Sequence, residues 1–260
     1  MIIDLKMCMS RSFHSKKSYL CIIGMIAALY INGLGAIIQQ KESASFNDIV
    51  AVSISSGFII LYYILSVFGG GLNLCQDLQS GYIKFIIAKT KKKDYIKAEL
   101  ISAFIWGSIS ALLSIIVFGV LIIFSLIILG YMPRNGIIGD WAYFTENVWT
   151  GLIFSLLCGT LSCLAVTVTI FIPNIFVGTA APILILYMVM TLLNKWCSNI
   201  YLLPSCVYFA FTHIFDNMLY HWLYAICYSG CIVFIMYKLC YWKMKRRIQN
   251  VIIKRNQIIK

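Results

Sequence analysis

The sequence predicts an all-α membrane protein with six transmembrane helices, and three observations lead to this prediction. Of the 260 residues, 61% are hydrophobic and only 12% are charged, whereas an average soluble domain has about 45–50% and about 25%. The mean hydropathy is +0.89, which gives far more apolar surface than a single buried core can hide from water. Finally, five long stretches contain no Asp, Glu, Lys or Arg at all.

These uncharged stretches locate the predicted spans. A helix crosses the roughly 30 Å hydrocarbon core in about 20 residues. Four stretches are long enough for one span each, and the stretch from Asn147 to Asn194 is long enough for two, with Pro173 as the natural break. The predicted spans are 19–38, 50–73, 101–128, 149–171, 175–193 and 222–240. The whole chain, 1–260, is therefore predicted to form a single transmembrane domain.

The basic residues predict how this domain is oriented. Six alternating spans place the amino-terminal segment, the loop between spans two and three, and the tail, 241–260, on the same side. That side carries 18 of the 21 Lys and Arg residues. Since Lys and Arg are enriched in cytoplasmic loops, both termini are predicted to be cytoplasmic. The net charge of +12, which suggests nucleic acid in a soluble protein, then follows from membrane insertion, and we expect no nucleic-acid partner.

Residues 1–17 are predicted to form a helix that lies in the cytoplasmic interface. Apolar residues recur at helical spacing, while basic residues occupy the other faces. The apolar positions are Ile2, Leu5, Met9 and Phe13. A frayed basic tail is the alternative interpretation.

The loop between spans two and three, 77–93, is predicted to contain a short amphipathic helix. Tyr82, Phe85, Ile86 and Lys89 share one side of such a helix, which could rest on the membrane or dock into a partner's groove. The apolar side favours docking over the alternative, a loop that only sets the topology and needs the lysines alone. Residues 91–93 are three lysines that form a basic turn. Asp94 is then predicted to cap the amino terminus of the third span.

The exterior segment 195–221 is rich in aromatic residues and nearly uncharged. It is predicted to enter the outer leaflet and return as two short helices divided by Pro204, because a lipid-facing backbone must satisfy its own hydrogen bonds. Cys197 and Cys206 lie together in this segment, and the sequence leaves open whether they form a disulfide.

The third span carries a stripe of small residues, which allows close approach of another helix. Its members are Ala103, Gly107, Ala111 and Ser114. The spacing predicts tight packing, either within the subunit or against a second copy of the chain.

Sequence motifs for catalysis are absent. The chain has no G-x-x-x-x-G-K-[ST] phosphate loop, no H-E-x-x-H and no C-x-x-C, so we expect neither an enzyme nor a bound metal or cofactor. The middle of each predicted span lacks an ionisable residue, which argues against an ion-coupled secondary transporter. Sodium sites can be built from carbonyl and hydroxyl groups, so this alternative stays open, as does a membrane-embedded accessory protein.

The order of these segments resembles the membrane subunit of type-2 ATP-binding-cassette (ABC) permeases, especially the small ones of Gram-positive bacteria. The resemblance covers essentially the whole chain. Its most specific local element is the stretch from Asp77 to Tyr82 with Lys84, followed by 95–97, which looks like the acidic-x-x-x-Gly segment of the family. The family more often has Glu and Gly-Thr where this chain has Asp77 and Gly81-Tyr82.

The resemblance implies an exporter in the bacterial plasma membrane. Two permease subunits, identical or related, would pair above two ABC ATPase subunits, which bind the ATP and Mg. This chain would need no cofactor of its own, and its substrate would be an antimicrobial peptide, a drug or a lipid-like molecule. The resemblance assigns coupling to the ATPase to six residues: Asp77, Gly81, Tyr82, Lys84, Phe85 and Lys89.

Overall fold

The computed structural model of the chain describes residues 2–40, 46–55, 59–83, 85–86, 91–130, 141–197, 199–208, 215 and 217–258. All regular structure in these ranges is helical. The α-helices are α1 (Ile2–Phe13), α2 (Lys16–Gln40), α3 (Phe46–Ser55), α4 (Ile59–Gly70), α5 (Asn73–Gln79), α6 (Lys92–Ile128), α7 (Trp141–Phe171), α8 (Ile175–Trp196), α9 (Pro204–Tyr208) and α10 (Met218–Ile258). A short 3₁₀ helix, Ile200–Leu202, precedes α9.

Five helices of the described chain are long and apolar enough to cross a membrane. They are α2, α6, α7, α8 and α10, and each overlaps one predicted span. The sixth candidate is the pair α3 and α4, which meet at an angle of 70°. The predicted all-α class is therefore confirmed, with five or six helical segments suited to crossing a membrane among the described residues. The second span departs from expectation, because it is a bent pair of helices that ends at Gly70 rather than at residue 73.

Helix α7 is the centre of the bundle. Within its most apolar stretch 83% of the residues are buried, against 22% to 44% in the other four long helices. The physical reason is a row of small side chains at intervals of four residues, which lets neighbouring helices approach closely. This row consists of Gly151, Ser155, Gly159, Cys163 and Thr167, all of them buried.

One end of the bundle is rich in basic residues, and we call it the basic end. Here α1 and α5 meet the beginning of α6, the end of α7 and the part of α10 around 236–244. The beginning of α2 is linked to α1 by a hydrogen bond from the Ser18 hydroxyl to the Ser12 carbonyl oxygen. The ammonium groups of Lys93 and Lys97 lie over the rings of Tyr241 and Tyr237, at 5.2 and 5.4 Å from the ring centroids. Such cation–π contacts hold charged heads at the margin of an apolar surface.

Helix α6 begins earlier than the sequence predicts. Lys91 occupies the N-cap position and its side chain makes no capping hydrogen bond. The prediction that Asp94 caps this helix is therefore wrong. Asp94 lies instead in the first turn, where a negative charge still stabilises the helix through its dipole.

The predicted tail, 241–260, continues α10 in helical form as far as Ile258. At 1.5 Å per residue a helix of 41 residues is about 60 Å long, roughly twice the hydrocarbon thickness. The candidate span within α10 ends at Arg246, so the helix continues beyond it for 12 more residues, to Ile258.

At the end opposite the basic end, the segment after α8 folds back onto the bundle. Val207 and Tyr208 on α9 are buried. The Tyr208 hydroxyl is 2.9 Å from Ser229 Oγ on α10, and His221 Nε2 is 3.0 Å from the Val207 carbonyl oxygen. The thiols of Cys197 and Cys206 are free.

Candidate functional site

The site is built on α5, and glycines position this helix. A Cβ added to Gly70 would lie 3.1 Å from Cβ of Trp106, and one added to Gly71 would lie 2.8 Å from the carbonyl oxygen of Ser162. The glycines at 69 and 70 therefore leave room for the Trp106 side chain of α6, and Gly71 lets the chain contact the backbone of α7. Because α5 begins two residues later, it lies directly against the buried centre of the bundle.

The chain reverses immediately after α5. Gly81 has a φ of +73°, a conformation that strains any residue with a Cβ. The residues beyond the turn are divided between two faces. Ile83 and Ile86 are buried in the apolar cluster of the basic end, whereas Tyr82 and Phe85 are 51% and 69% exposed. The apolar stripe predicted for this segment is thus split, and Ile86 lies inside.

Gly81→Ala is expected to lower the free energy of unfolding by about 1 kcal/mol, because alanine resists the left-handed backbone conformation. For a chain of this size we expect a decrease of a few degrees in Tm, measured by thermal unfolding in detergent. Gly35→Ala is the matched control. Gly35 lies within α2 with open space around it, so alanine should leave Tm unchanged or raise it. Equal losses in both variants would contradict the structural assignment of Gly81.

Asp77 on α5 is the central residue of the site. Its carboxylate is nearly buried and accepts two hydrogen bonds from the Arg11 guanidinium, at 2.8 and 2.9 Å. It accepts a third from the Tyr95 hydroxyl at 2.7 Å. Bidentate, charge-assisted bonds of this kind are among the strongest that side chains make. A single carboxylate thus joins α1, α5 and α6.

Neutral hydrogen bonds extend this connection. The Asn73 amide donates to Ser12 Oγ at 3.0 Å, and Ser12 Oγ is 3.1 Å from Ser102 Oγ on α6. At the other end of α5, the Gln79 amide donates to the carbonyl oxygen of Pro173 at 2.9 Å. Pro173 lies between α7 and α8. Side-chain hydrogen bonds therefore fix α5 to α1, to α6 and to the break between α7 and α8.

The ion pair with Asp77 changes the pKa of the Arg11 guanidinium. Burial by itself lowers the pKa of the guanidinium, but the hydrogen bonds and the negative charge of Asp77 outweigh burial and raise the pKa above its usual value. The Arg11 guanidinium is consequently charged at every physiological pH.

Glu99 is a component of this site that sequence reasoning missed. It lies one helical turn after Tyr95 on α6 and is 2% exposed. Neither carboxyl oxygen has a hydrogen bond of good geometry to any group that the structure describes, although the Cys8 thiol and the Leu74 amide face it. Burial, and then the charge of Glu99, raise the pKa of the Cys8 thiol. A buried carboxyl group in this condition is a place where a proton or cation can bind.

The predicted coupling residues therefore occupy different positions. Asp77 is an internal anchor, Gly81 forms the turn, and Tyr82 and Phe85 are exposed with ring centroids 6.3 Å apart. Lys84 and Lys89 lie outside the described residues.

The small-residue stripe on α6 packs within the subunit. Its four members are Ala103, Gly107, Ala111 and Ser114, all buried. A Cβ on Gly107 would lie 2.8 Å from the Cys158 carbonyl oxygen of α7. Ser114 Oγ is 2.7 Å from the Tyr62 hydroxyl of α4. This stripe brings α4, α6 and α7 together.

An apolar cavity of about 310 Å³ opens between α3, α6 and α7 near the opposite end of the bundle. Phe46, Ile115, Ile123 and Phe144 are among its lining residues. Asn147 contributes a polar group there, and its amide donates to Asn47 Oδ1 at 3.2 Å. The cavity has the size and chemistry to take part of an apolar ligand.

Comparison with known proteins finds no matching family model, no matching curated protein and no matching solved structure. The function must therefore follow from the site itself. Its two parts are the buried pair of Arg11 and Asp77 at the basic end, which we call the ionic anchor, and the exposed rings of Tyr82 and Phe85 that follow α5.

Proposed function

We propose that this chain is the membrane-spanning permease subunit of an ABC exporter, which moves its substrate out of the cell or membrane with ATP hydrolysed by a separate subunit. One observation carries the proposal. The segment from α5 to Ile86 is fixed to α1, to α6 and to the break between α7 and α8, and it presents Tyr82 and Phe85 outward. A rigid segment with two exposed aromatic rings is suited to contact an ATPase subunit and to transmit its movement to the bundle.

The ionic anchor supports transmission of that input. Moving α5 alone would separate Asp77 from Arg11 and leave a charge buried without its partner, at a cost of several kcal/mol. Helices α1, α5 and α6 are therefore expected to move as one body. Force applied at Tyr82 and Phe85 by the closing ATPases would tilt this body against the rest of the bundle.

In the proposed complex two permease subunits, identical or related, rest on two ABC ATPase subunits. ATP and Mg are bound by the ATPases, and this chain supplies no catalytic group. The location is a bacterial plasma membrane, with the basic end and both termini in the cytoplasm. The apolar cavity supports an apolar substrate, such as an antimicrobial peptide, a drug or a lipid-like molecule.

Site-specific crosslinking tests the proposal. With p-benzoylphenylalanine in place of Phe85, irradiation of native membranes is expected to give a covalent product with a subunit that contains an ATP-binding cassette. The control carries the same group at Phe124, which is 62% exposed near the far end of α6. If the Phe85 product contains no such subunit, or if both positions capture it equally, the coupling surface is wrongly assigned.

One observation favours an ion-coupled secondary transporter as a second candidate. Glu99 is a buried carboxyl group inside a candidate span, and such groups mark proton and ion pathways. Under this alternative the chain alone, in liposomes with a pH gradient, would dissipate the gradient, and Glu99→Gln would abolish the flux. An ABC permease without its ATPase is expected to leave the gradient intact.

A further inference from the structure

A second polar feature lies at the basic end, on the outer side of the ionic anchor. A cavity of about 540 Å³ opens between α1, the beginning of α2 and α5. Its lining residues are Ser10, Arg11, His14, Lys16, Lys17 and, on α5, Asn73 and Gln76, with Ser15 at the turn between α1 and α2. Among the residues that the structure describes, no carboxylate lines this cavity, and its charged lining side chains are all basic.

The two lysines carry the charge that is available to a ligand. Arg11 is already paired with Asp77, whereas the side chains of Lys16 and Lys17 are exposed. Within the described ranges of the chain, neither ammonium group has a carboxylate within ion-pair distance. Two unpaired cations on adjacent residues beside a polar recess are electrostatically suited to an anion.

The position of the cavity points to the source of that anion. Lys16 is the first residue of α2 and of the first candidate span, so the cavity lies where the hydrocarbon core gives way to the headgroup layer. Phosphate groups of lipids occupy this layer, and basic clusters next to a transmembrane helix attract anionic lipids. We propose that the cavity binds the phosphate group of an anionic lipid from the leaflet at the basic end.

Such a lipid would connect elements that the ionic anchor also connects. The cavity walls belong to α1, α2 and α5, and Arg11 forms part of both features. A bound phosphate would add a second link between α1 and α5 at the membrane surface. The proposal goes beyond the proposed export function and does not depend on the identity of an ATPase.

Native mass spectrometry of the full chain in detergent tests it, with phosphatidylglycerol as the probe and phosphatidylcholine as the neutral comparison. The intact protein is expected to retain phosphatidylglycerol preferentially. Because one lysine near anionic lipid contributes about a fivefold preference, Lys16→Gln with Lys17→Gln should weaken retention by about tenfold or more. Lys16→Arg with Lys17→Arg keeps both charges and should retain the lipid.

The matched control removes two charges from the same end of the bundle but outside the cavity. Lys238 and Lys245 on α10 are both exposed, and Lys238→Gln with Lys245→Gln should change retention by less than about twofold, since these charges do not line the site. If this control loses the lipid to the same extent as the cavity variant, the effect is general charge and the proposal is overturned.

Inorganic phosphate distinguishes a lipid headgroup from a free anion. At millimolar concentration it is expected to leave phosphatidylglycerol in place, because the acyl chains anchor the lipid beside the cavity. Phosphate that binds to the intact protein and displaces the lipid would overturn the lipid assignment. Equal retention of phosphatidylcholine and phosphatidylglycerol would overturn the anion site altogether.

Discussion

Arg11→Gln is expected to lower the free energy of unfolding by about 3–5 kcal/mol, because it leaves the Asp77 carboxylate buried without its counter-charge. Asp77→Asn should cost less. The Asp77 side chain is 6% exposed, whereas the Arg11 side chain is 32% exposed. Without its partner, Arg11 can therefore be hydrated by water more easily than Asp77 can. The order of the two losses therefore follows from the difference in burial between the two partners.

The measurement is thermal unfolding of the purified full chain in detergent, with the double variant Arg11→Gln and Asp77→Asn included. Residues that form one ion pair are not independent, so the double variant should be more stable than the sum of the single losses predicts. Arg246→Gln is the control, since Arg246 is exposed and stacks on Trp242 at 3.9 Å; we expect a loss of at most about 1 kcal/mol. Strictly additive losses at positions 11 and 77 would show that the two residues do not interact.

Gly107→Leu is expected to prevent stable folding. Even the first atom of the new side chain would lie 2.8 Å from the carbonyl oxygen of Cys158, and this backbone atom cannot move without displacing α7. The reciprocal contact is equally tight, because a Cβ on Gly159 would lie 2.9 Å from the carbonyl oxygen of Phe104. Gly107→Ala and Gly159→Ala should each cost about 1–3 kcal/mol through overpacking.

Fluorescence-detected size-exclusion chromatography of a tagged chain gives both yield and thermal stability for this series. Gly151→Ala is the matched control, since Gly151 lies on α7, the helix that also contains Gly159. Its new methyl group would meet only the Ile115 side chain at 3.6 Å, an ordinary contact, and should be tolerated. If Gly107→Ala has the yield and Tm of the unaltered chain, the close contact between α6 and α7 is not as described.

The membrane class and the positions of the spans could be predicted because charge-free runs are a one-dimensional property of the sequence. The bend between α3 and α4 could not, since hydropathy reports how apolar a segment is and not its direction. The central role of α7 was readable in principle. Gly151, Ser155 and Gly159 are spaced four residues apart, as are Ala103, Gly107 and Ala111 in the predicted stripe on α6.

The ionic anchor could not be predicted from the sequence, for a different reason. Arg11 and Asp77 are 66 positions apart, and in the sequence each looks like a solvated charge on a cytoplasmic segment. Glu99 directly precedes an uncharged stretch, a position typical of a loop charge beside a span, yet it is buried. Whether two charges pair or become buried depends on how the helices are arranged. The composition of a single segment carries no information about that arrangement.

The long reach of the contacts made by α1 has a consequence for biosynthesis. This helix is translated well before its partners: Asp77 follows Arg11 by 66 residues, and Ser102 follows Ser12 by 90 residues. Docking of α1 must therefore wait until α6 has entered the membrane. Until then an amphipathic α1 has only the bilayer surface to cover its apolar side. Helix α1 is thus translated before its partners and assembled with them late.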